Sequence, residues 1–451
     1  ITDLRNAAGR GGLGAVMGSK NLKCVAVKGA TVPQPADPEK FRDLARWMNT
    51  NYMKHGNGAV FHDLGTGAGM VGGNAIGNLP VRNWSDGQFG DVAMITAEAV
   101  RDSYRVAMEG CPGCQIRCKK VVALETEAFK VDPRNGGPEY ETLASFGSFM
   151  GINDLAAICK ANELCSLHGL DSISLGGTIA FAMECFEKGI LTLEHTGGIE
   201  LRFGNAQAML QMIDLIVRRH GIGDVLADGS RAAALRIGHG AQELAIQVKG
   251  VEFGMHDPRV KQGLGLIYAL APNGADHMAG AHDTSYTHEG RAMESVRSLD
   301  SLTPLPANDL STAKVDRARN QHLTRNFGDS LVMCHFVPWT LRQQVDMLRA
   351  LTGWDYTDFE AMRQGERVAT MSRVFNLREG LTAADDHLPR RFFSPAPRGA
   401  LKDKAIDPEA MARATRTFYV LMGWDPATGV PMPEKLEELG IGWAGAGRVA
   451  A

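Results

Sequence analysis

Nowhere in this 451-residue sequence does an uninterrupted apolar stretch reach the roughly 18 to 20 residues that a bilayer-crossing helix needs, so no membrane span is expected. The opening Ile1-Thr2-Asp3-Leu4-Arg5-Asn6 lacks the apolar core of a secretory signal, which makes the cytoplasm the expected compartment. Charge of one sign is also missing: 48 Lys and Arg stand against 51 Asp and Glu, net -3, and nothing points to nucleic acid or an anionic lipid surface. Cysteine is scarce, eight in the whole chain, too few for a disulfide scaffold in a protein this long. No internal repeat of fixed period is visible. What is present, 44% hydrophobic and 22% charged residues, is enough to bury the cores of two or three domains.

Three of the eight cysteines crowd into Cys111-Pro112-Gly113-Cys114-Gln115-Ile116-Arg117-Cys118. The C-x2-C-x3-C spacing lets three thiolates converge on one small inorganic core while the intervening backbone N–H groups point at its sulfides. Zinc is the competing reading, although a zinc site usually pairs two C-x2-C halves or adds histidines, and no second half is visible. Unligated thiols are the third. Cys24, Cys159, Cys165 and Cys185 sit in apolar or helical surroundings where a buried thiol is expected, and they receive no role.

Gly9-x-Gly11-x-x-Gly14 formally matches a dinucleotide-binding pattern, but that motif follows a strand and opens a helix. Residues 1–8 make a poor strand, and the β-branched run at 23–29 reads as a strand following a glycine-rich turn. Pro33-Gln34-Pro35-Ala36-Asp37-Pro38 is a linker, and helix signals resume at Glu39. Helical spacing then predicts helices over 154–168, with Gly169 as the stop, and over 178–188, 207–219, 231–237, 341–351, 360–375 and 408–421. A short strand is expected at 244–248.

Several segments in one order resemble the aldehyde:ferredoxin oxidoreductase family of tungsten-pterin enzymes: the run from Ala7 to Lys23, the cysteine stretch, Gly137-Pro138-Glu139-Tyr140-Glu141-Thr142, Gly151-Ile152-Asn153-Asp154-Leu155, His168 to Ser174, Asp257-Pro258-Arg259, and Glu434 to Ile441. The resemblance implies a mainly α chain made of the family's two helical domains, with a short β remnant at the N-terminus. Its divisions are expected at 1–35 (remnant of the pterin-binding β domain), 36–245 (helical, carrying the Cys111–Cys118 loop) and 246–451 (helical, carrying Cys334). The family's β-rich first domain, roughly 150 to 200 residues on general size grounds, would precede Gly9. A truncated piece, or a separate subunit supplying that domain or further iron–sulfur groups, is expected, as is an oligomer.

The cofactors implied are a tungsten (or molybdenum) bis-pterin, a magnesium ion bridging the pterin phosphates, and a 4Fe-4S cluster. The resemblance assigns Cys111, Cys114, Cys118 and Cys334 to the cluster, the Ala7 carbonyl to magnesium, and Arg10 to the cofactor-binding set. The pterin motif D-x-x-G-L-C corresponds to Asp329-Ser330-Leu331-Val332-Met333-Cys334, with Val and Met where Gly and Leu are usual. Its partner D-x-x-G-L-D corresponds to Ser166-Leu167-His168-Gly169-Leu170-Asp171, without the first carboxylate. Gly169, Leu170, Asp171, Asp329 and Met333 are therefore candidate pterin contacts. Glu141 and His277 match the family's active-site acid and histidine, with His256, His282 and His288 near enough in sequence to compete. Read without the resemblance, Glu141 is a helix N-terminal carboxylate and His277 a polar loop histidine. The activity implied is oxidation of an aldehyde to a carboxylate, with electrons passing through the cluster to ferredoxin or a similar carrier. Alternatives are a subunit like the catalytic one of class II benzoyl-CoA reductase, and a cofactor-free interaction subunit or inactive fragment.

Overall fold

The structure, a computed structural model, describes residues 1–55 and 57–445. Helices dominate it, and among the described residues the strands form only two-stranded antiparallel pairs, the longest being Arg105–Glu109 with Lys119–Val122. The chain is mainly α, as the apolar periodicity predicts. No helix among the described residues is long and apolar enough to cross a membrane.

Two compact units share the chain in alternation. The first comprises Ile1–Ala26, Val60–Val260 and Pro389–Ala405; the second comprises Val27–Ala59, Lys261–Leu388 and Ile406–Ala451. The first unit is built around the helix Ser172–Glu187, whose buried residues lie on every side because its sequence is apolar nearly all round. Trp84 is buried at the centre of an aromatic group, meeting Phe149, Phe253 and Phe392 edge-on at ring separations of 5.4, 5.9 and 5.4 Å. The segment Pro389–Ala405 is integral to this unit. Arg391 forks onto buried Glu184 with 2.8 and 2.9 Å bonds, Arg398 pairs with Asp86, and Leu401 packs with Val260 and Ala396.

In the second unit the helices Thr312–Ser330 and Asp358–Arg378 run in close contact at Gly365, where an added Cβ would lie 2.0 Å from the Leu323 carbonyl oxygen. Only glycine permits that approach. Lys314 and Asp283 form a buried 2.7 Å ion pair, and Asp283 also accepts the Leu264 N–H at 2.9 Å, so its charge is matched twice over.

Local chemistry explains the helix boundaries. Asp154 caps Leu155–His168 by accepting the Ala157 N–H at 3.0 Å, and Gly169 ends that helix in the left-handed conformation. Thr340 and Thr357 each begin a helix with a reciprocal capping box, closed by Gln343 and Glu360. These helices start and stop within three residues of the positions read from sequence.

Two expectations fail at the front of the chain. Residues 23–29 form no strand: Val25 and Val27 are exposed, and a β-branched run needs an edge to pair with, which the described residues do not supply. The glycine run opens not a turn into a strand but the short helix Leu13–Ser19, entered through Gly12 at φ 75°. The strand expected at 244–248 shrinks to Gln247–Val248, because Ala241–Leu244 coil into a 3-10 turn.

Candidate functional site

In the first unit the helix Tyr140–Phe146 carries Glu141 in its first turn, where unsatisfied backbone N–H groups favour a negative charge. The carboxylate is fixed at one oxygen and faces a histidine with the other. Oε2 accepts the Met255 N–H at 2.7 Å, and Oε1 lies 3.1 Å from His256 Nε2. His256 is fixed in turn: Tyr140 stacks on it with ring centroids 4.8 Å apart and planes 15° from parallel, and Asn78 Nδ2 lies 3.2 Å from its Nδ1. An amide nitrogen can only donate, so in this assigned orientation Nδ1 accepts, and the neutral ring carries its proton on Nε2, facing Glu141. Burial raises the Tyr140 phenol well above its usual pKa, which keeps it a donor to the Met255 carbonyl at 2.8 Å. Glu141 and His256 are largely buried, with 13% and 11% of their side chains exposed.

What holds this arrangement is the neighbouring Asp257-Pro258-Arg259. Arg259 is buried with its guanidinium on Asp257, at 2.7 and 3.0 Å, and on the Trp84 carbonyl at 3.0 Å. The Asp257 N–H donates to the Asn78 carbonyl at 3.0 Å, so Asn78 grips this segment through both backbone and side chain. Asn78 carried no signal in the sequence. His256 was legible only as a competitor for the role of His277, although its place directly before a rigid Asp-Pro-Arg was a usable clue.

Cys111, Cys114 and Cys118 occupy the loop of the hairpin Arg105–Glu109/Lys119–Val122. The loop turns tightly: the Cys114 N–H donates to the Cys111 carbonyl at 3.0 Å, Gly113 and Arg117 have φ of 72° and 52°, and Ile116 anchors it in the core. Cys111 is exposed, and Cys114 and Cys118 are partly so. Three soft thiols on a short turned loop suit iron–sulfur ligation. Among the described residues no group of three His, Cys, Asp or Glu side chains is close enough to hold a single metal ion.

The two candidate pterin motifs prove to be the same backbone device, one in each unit. After Leu155–His168, Gly169 has φ 67°, and the Leu170 N–H reaches back to the Cys165 carbonyl at 3.0 Å. After Thr312–Ser330, Val332 has φ 55°, and the Met333 N–H reaches back to the Gly328 carbonyl at 3.0 Å. Both are helix ends closed by the six-to-one bond of a Schellman turn. Asp171 caps the following helix at Ile173 and pairs with Arg10 at 2.8 Å, while Arg10 also donates to Ser174 at 3.2 Å and to the Glu252 carbonyl at 2.5 Å. In the second motif Asp329 holds His335 at 2.9 Å.

Val332 occupies the left-handed position where the family's motif has glycine, and a β-branched residue there costs roughly 1–2 kcal/mol. It is also almost fully exposed, so it gains little from packing. Val332→Gly should therefore stabilise the protein by about 1 kcal/mol, after the backbone entropy of glycine is subtracted. A denaturation midpoint that moves down instead would contradict the backbone conformation assigned to this residue.

The remaining candidates are placed as follows. Ala7 pairs with Thr2 in the small hairpin Thr2–Asp3/Asn6–Ala7. His277 belongs to the second unit, opening a 3-10 turn capped by Asp276, with Nδ1 3.6 Å from the Asp276 carboxylate. Cys334 also belongs to the second unit; it is exposed and receives the Phe336 N–H on sulfur at 3.5 Å.

Comparison with known proteins gives consistent likenesses. The family model "Aldehyde ferredoxin oxidoreductase, domains 2 & 3" matches residues 43–441, and "Aldehyde ferredoxin oxidoreductase, N-terminal domain" matches residues 1–29. The tungsten-containing aldehyde ferredoxin oxidoreductase of Pyrococcus furiosus is 37% identical over 451 residues, covering 98% of this chain and 70% of that protein. Its counterpart from Thermococcus kodakarensis is 35% identical with the same coverage. A Pyrococcus furiosus aliphatic sulfonate oxidoreductase, WOR-like subunit, is 32% identical over 98% of this chain and 68% of its own. Among solved structures, the active site complex BamBC of benzoyl coenzyme A reductase with 1,5 dienoyl-CoA superposes with a TM-score of 0.75 over 97% of this chain and 70% of that one. At 22% identity that likeness speaks to the fold alone.

Proposed function

The chain belongs to the aldehyde ferredoxin oxidoreductase family, an oxidoreductase family, and on that premise we propose that it oxidises an aldehyde to a carboxylate at a tungsten- or molybdenum-pterin centre. The overall change is RCHO + H2O → RCOO⁻ + 3 H⁺ + 2 e⁻. When bound, the metal–pterin group accepts the electron pair, and a 4Fe-4S cluster passes the electrons singly to ferredoxin or a similar carrier. The protein's share is to hold these groups and to move protons.

The observation that carries this reading is the Glu141 carboxylate, fixed by a backbone N–H on one oxygen and set beside an oriented histidine at the other. Such a group takes a proton from water as its oxygen attacks the aldehyde carbon. Before that transfer His256 faces the carboxylate through Nε2, and Asn78 keeps that nitrogen the protonated one. His277 is assigned to the carbonyl oxygen of the substrate. Cys111, Cys114, Cys118 and Cys334 would ligate the cluster, and the Ala7 carbonyl would face the magnesium between the pterin phosphates. The twin Schellman turns at Gly169-Leu170-Asp171 and Asp329 to Met333 would offer matching backbone to the two pterins, with Arg10 bracing Asp171.

Anaerobic purification followed by metal analysis tests the proposal. One tungsten or molybdenum and about four irons per chain are expected, together with turnover of an aldehyde in the presence of a low-potential acceptor. Protein that folds and holds neither metal would overturn it in favour of an interaction subunit.

A further inference from the structure

Just beyond Cys118, the strand Lys119–Val122 takes a charge into the interior of the first unit: the Lys120 side chain is 0% exposed. Gly65 packs on both residues at once. A Cβ at that position would lie 2.5 Å from the Cys118 carbonyl oxygen and 2.7 Å from Lys120 Nζ, so the ammonium stands beside the backbone of the third cysteine. His62 braces the same loop, with Nδ1 3.1 Å from the Ile116 carbonyl. Lys120 Nζ donates to the Thr66 carbonyl at 2.8 Å and pairs with Glu139 Oε2 at 3.3 Å. Thr66 Oγ1 donates to the same Glu139 oxygen and accepts the Tyr140 N–H at 2.8 Å, which ties the cysteine loop to the start of the helix that carries Glu141.

The ion pair is lopsided. The Glu139 side chain is 41% exposed, so water screens its carboxylate, whereas the ammonium is shut away from solvent. An apolar side chain of similar volume in such a place is often neutral or stabilising, so packing does not account for the charge. A buried, weakly screened cation favours negative charge beside it, and the potentials of iron–sulfur clusters follow local charge and solvent exposure. Resting on the 4Fe-4S reading above, we propose that Lys120 sets the reduction potential of that cluster: its fixed positive charge raises the potential, and Glu139 trims the rise. The cluster takes up one electron from the metal–pterin group and gives it on to the carrier, while Lys120 keeps its proton in both states. Lys120 is thus a positioning residue that acts through the charge of the cluster and takes no part in the chemistry at the aldehyde.

A redox titration of the purified holoenzyme, followed by electron paramagnetic resonance of the reduced cluster and with iron measured in every variant, is the test. A unit charge within about 10 Å, at the effective dielectric of about 20 that suits protein sites, is worth about tenfold in an equilibrium constant. Lys120→Met, similar in length and uncharged, should therefore lower the constant for one-electron reduction about tenfold, a fall of about 59 mV in midpoint potential. Glu139→Gln should shift the potential the opposite way by a smaller factor, and the partly exposed neighbour Lys119, as Lys119→Met, should lower it less than Lys120→Met does. A merely structural role for Lys120 predicts none of these opposed signs. An unchanged potential in Lys120→Met at full iron content, or no rise in Glu139→Gln, would overturn the inference and leave the cluster standing. A wild-type protein without the cluster signal would overturn both the inference and the reading it rests on.

Discussion

Glu141→Gln lowers aldehyde turnover by about 10²- to 10⁴-fold, the range lost with a general base, while tungsten or molybdenum and iron contents stay at wild-type levels. The amide is close in shape to the carboxylate and can still accept the Met255 N–H through its oxygen. It cannot take a proton. Its NH2 group would also face His256 Nε2–H donor to donor, so the imidazole loses its acceptor. Turnover equal to wild type would remove Glu141 as the base, and lost metal would move its role to cofactor assembly.

Cys114→Ser abolishes the low-temperature electron paramagnetic resonance signal of the reduced cluster, with iron falling well below four per chain. A serine hydroxyl stays protonated at neutral pH and is a harder, weaker ligand for iron. Cys159→Ser is the matched control. Burial pushes the Cys159 thiol up to about 12, so it stands neutral in the core and has no thiolate to offer, and its substitution should leave the signal unchanged. A signal that survives in Cys114→Ser would overturn the ligand assignment.

Most of the helical body was legible in the sequence, because its signals are local. Asp154 and Gly169 bracket a helix with their own side chain and backbone, and the capping boxes at Thr340 and Thr357 do the same. The strand expected at 23–29 was misread for the opposite reason: β-branched residues favour a strand only when a neighbour completes the ladder. The helix Gln262–Leu270 escaped notice since it is buried on all sides and shows no amphipathic period. At the site, the colinear motifs pointed to Glu141, Arg10 and the cysteines, whereas the partners that orient Glu141 were invisible. Asn78, Met255 and His256 lie far from it in sequence, and only the fold brings an amide, a backbone N–H and an imidazole to one carboxylate. Val332 was visible as a departure from the family's motif, but its cost emerged only with the backbone angle.

The return of Pro389–Ala405 to the first unit bears on how the protein is made. A ribosome adding roughly 5–20 residues per second leaves Trp84 and Glu184 without Phe392 and Arg391 for on the order of ten seconds after Val260 has been joined. Throughout that interval an aromatic face and a carboxylate meant for burial stay open to the surroundings. Nascent chains halted between these two points should therefore be the ones that chaperones hold and proteases cut.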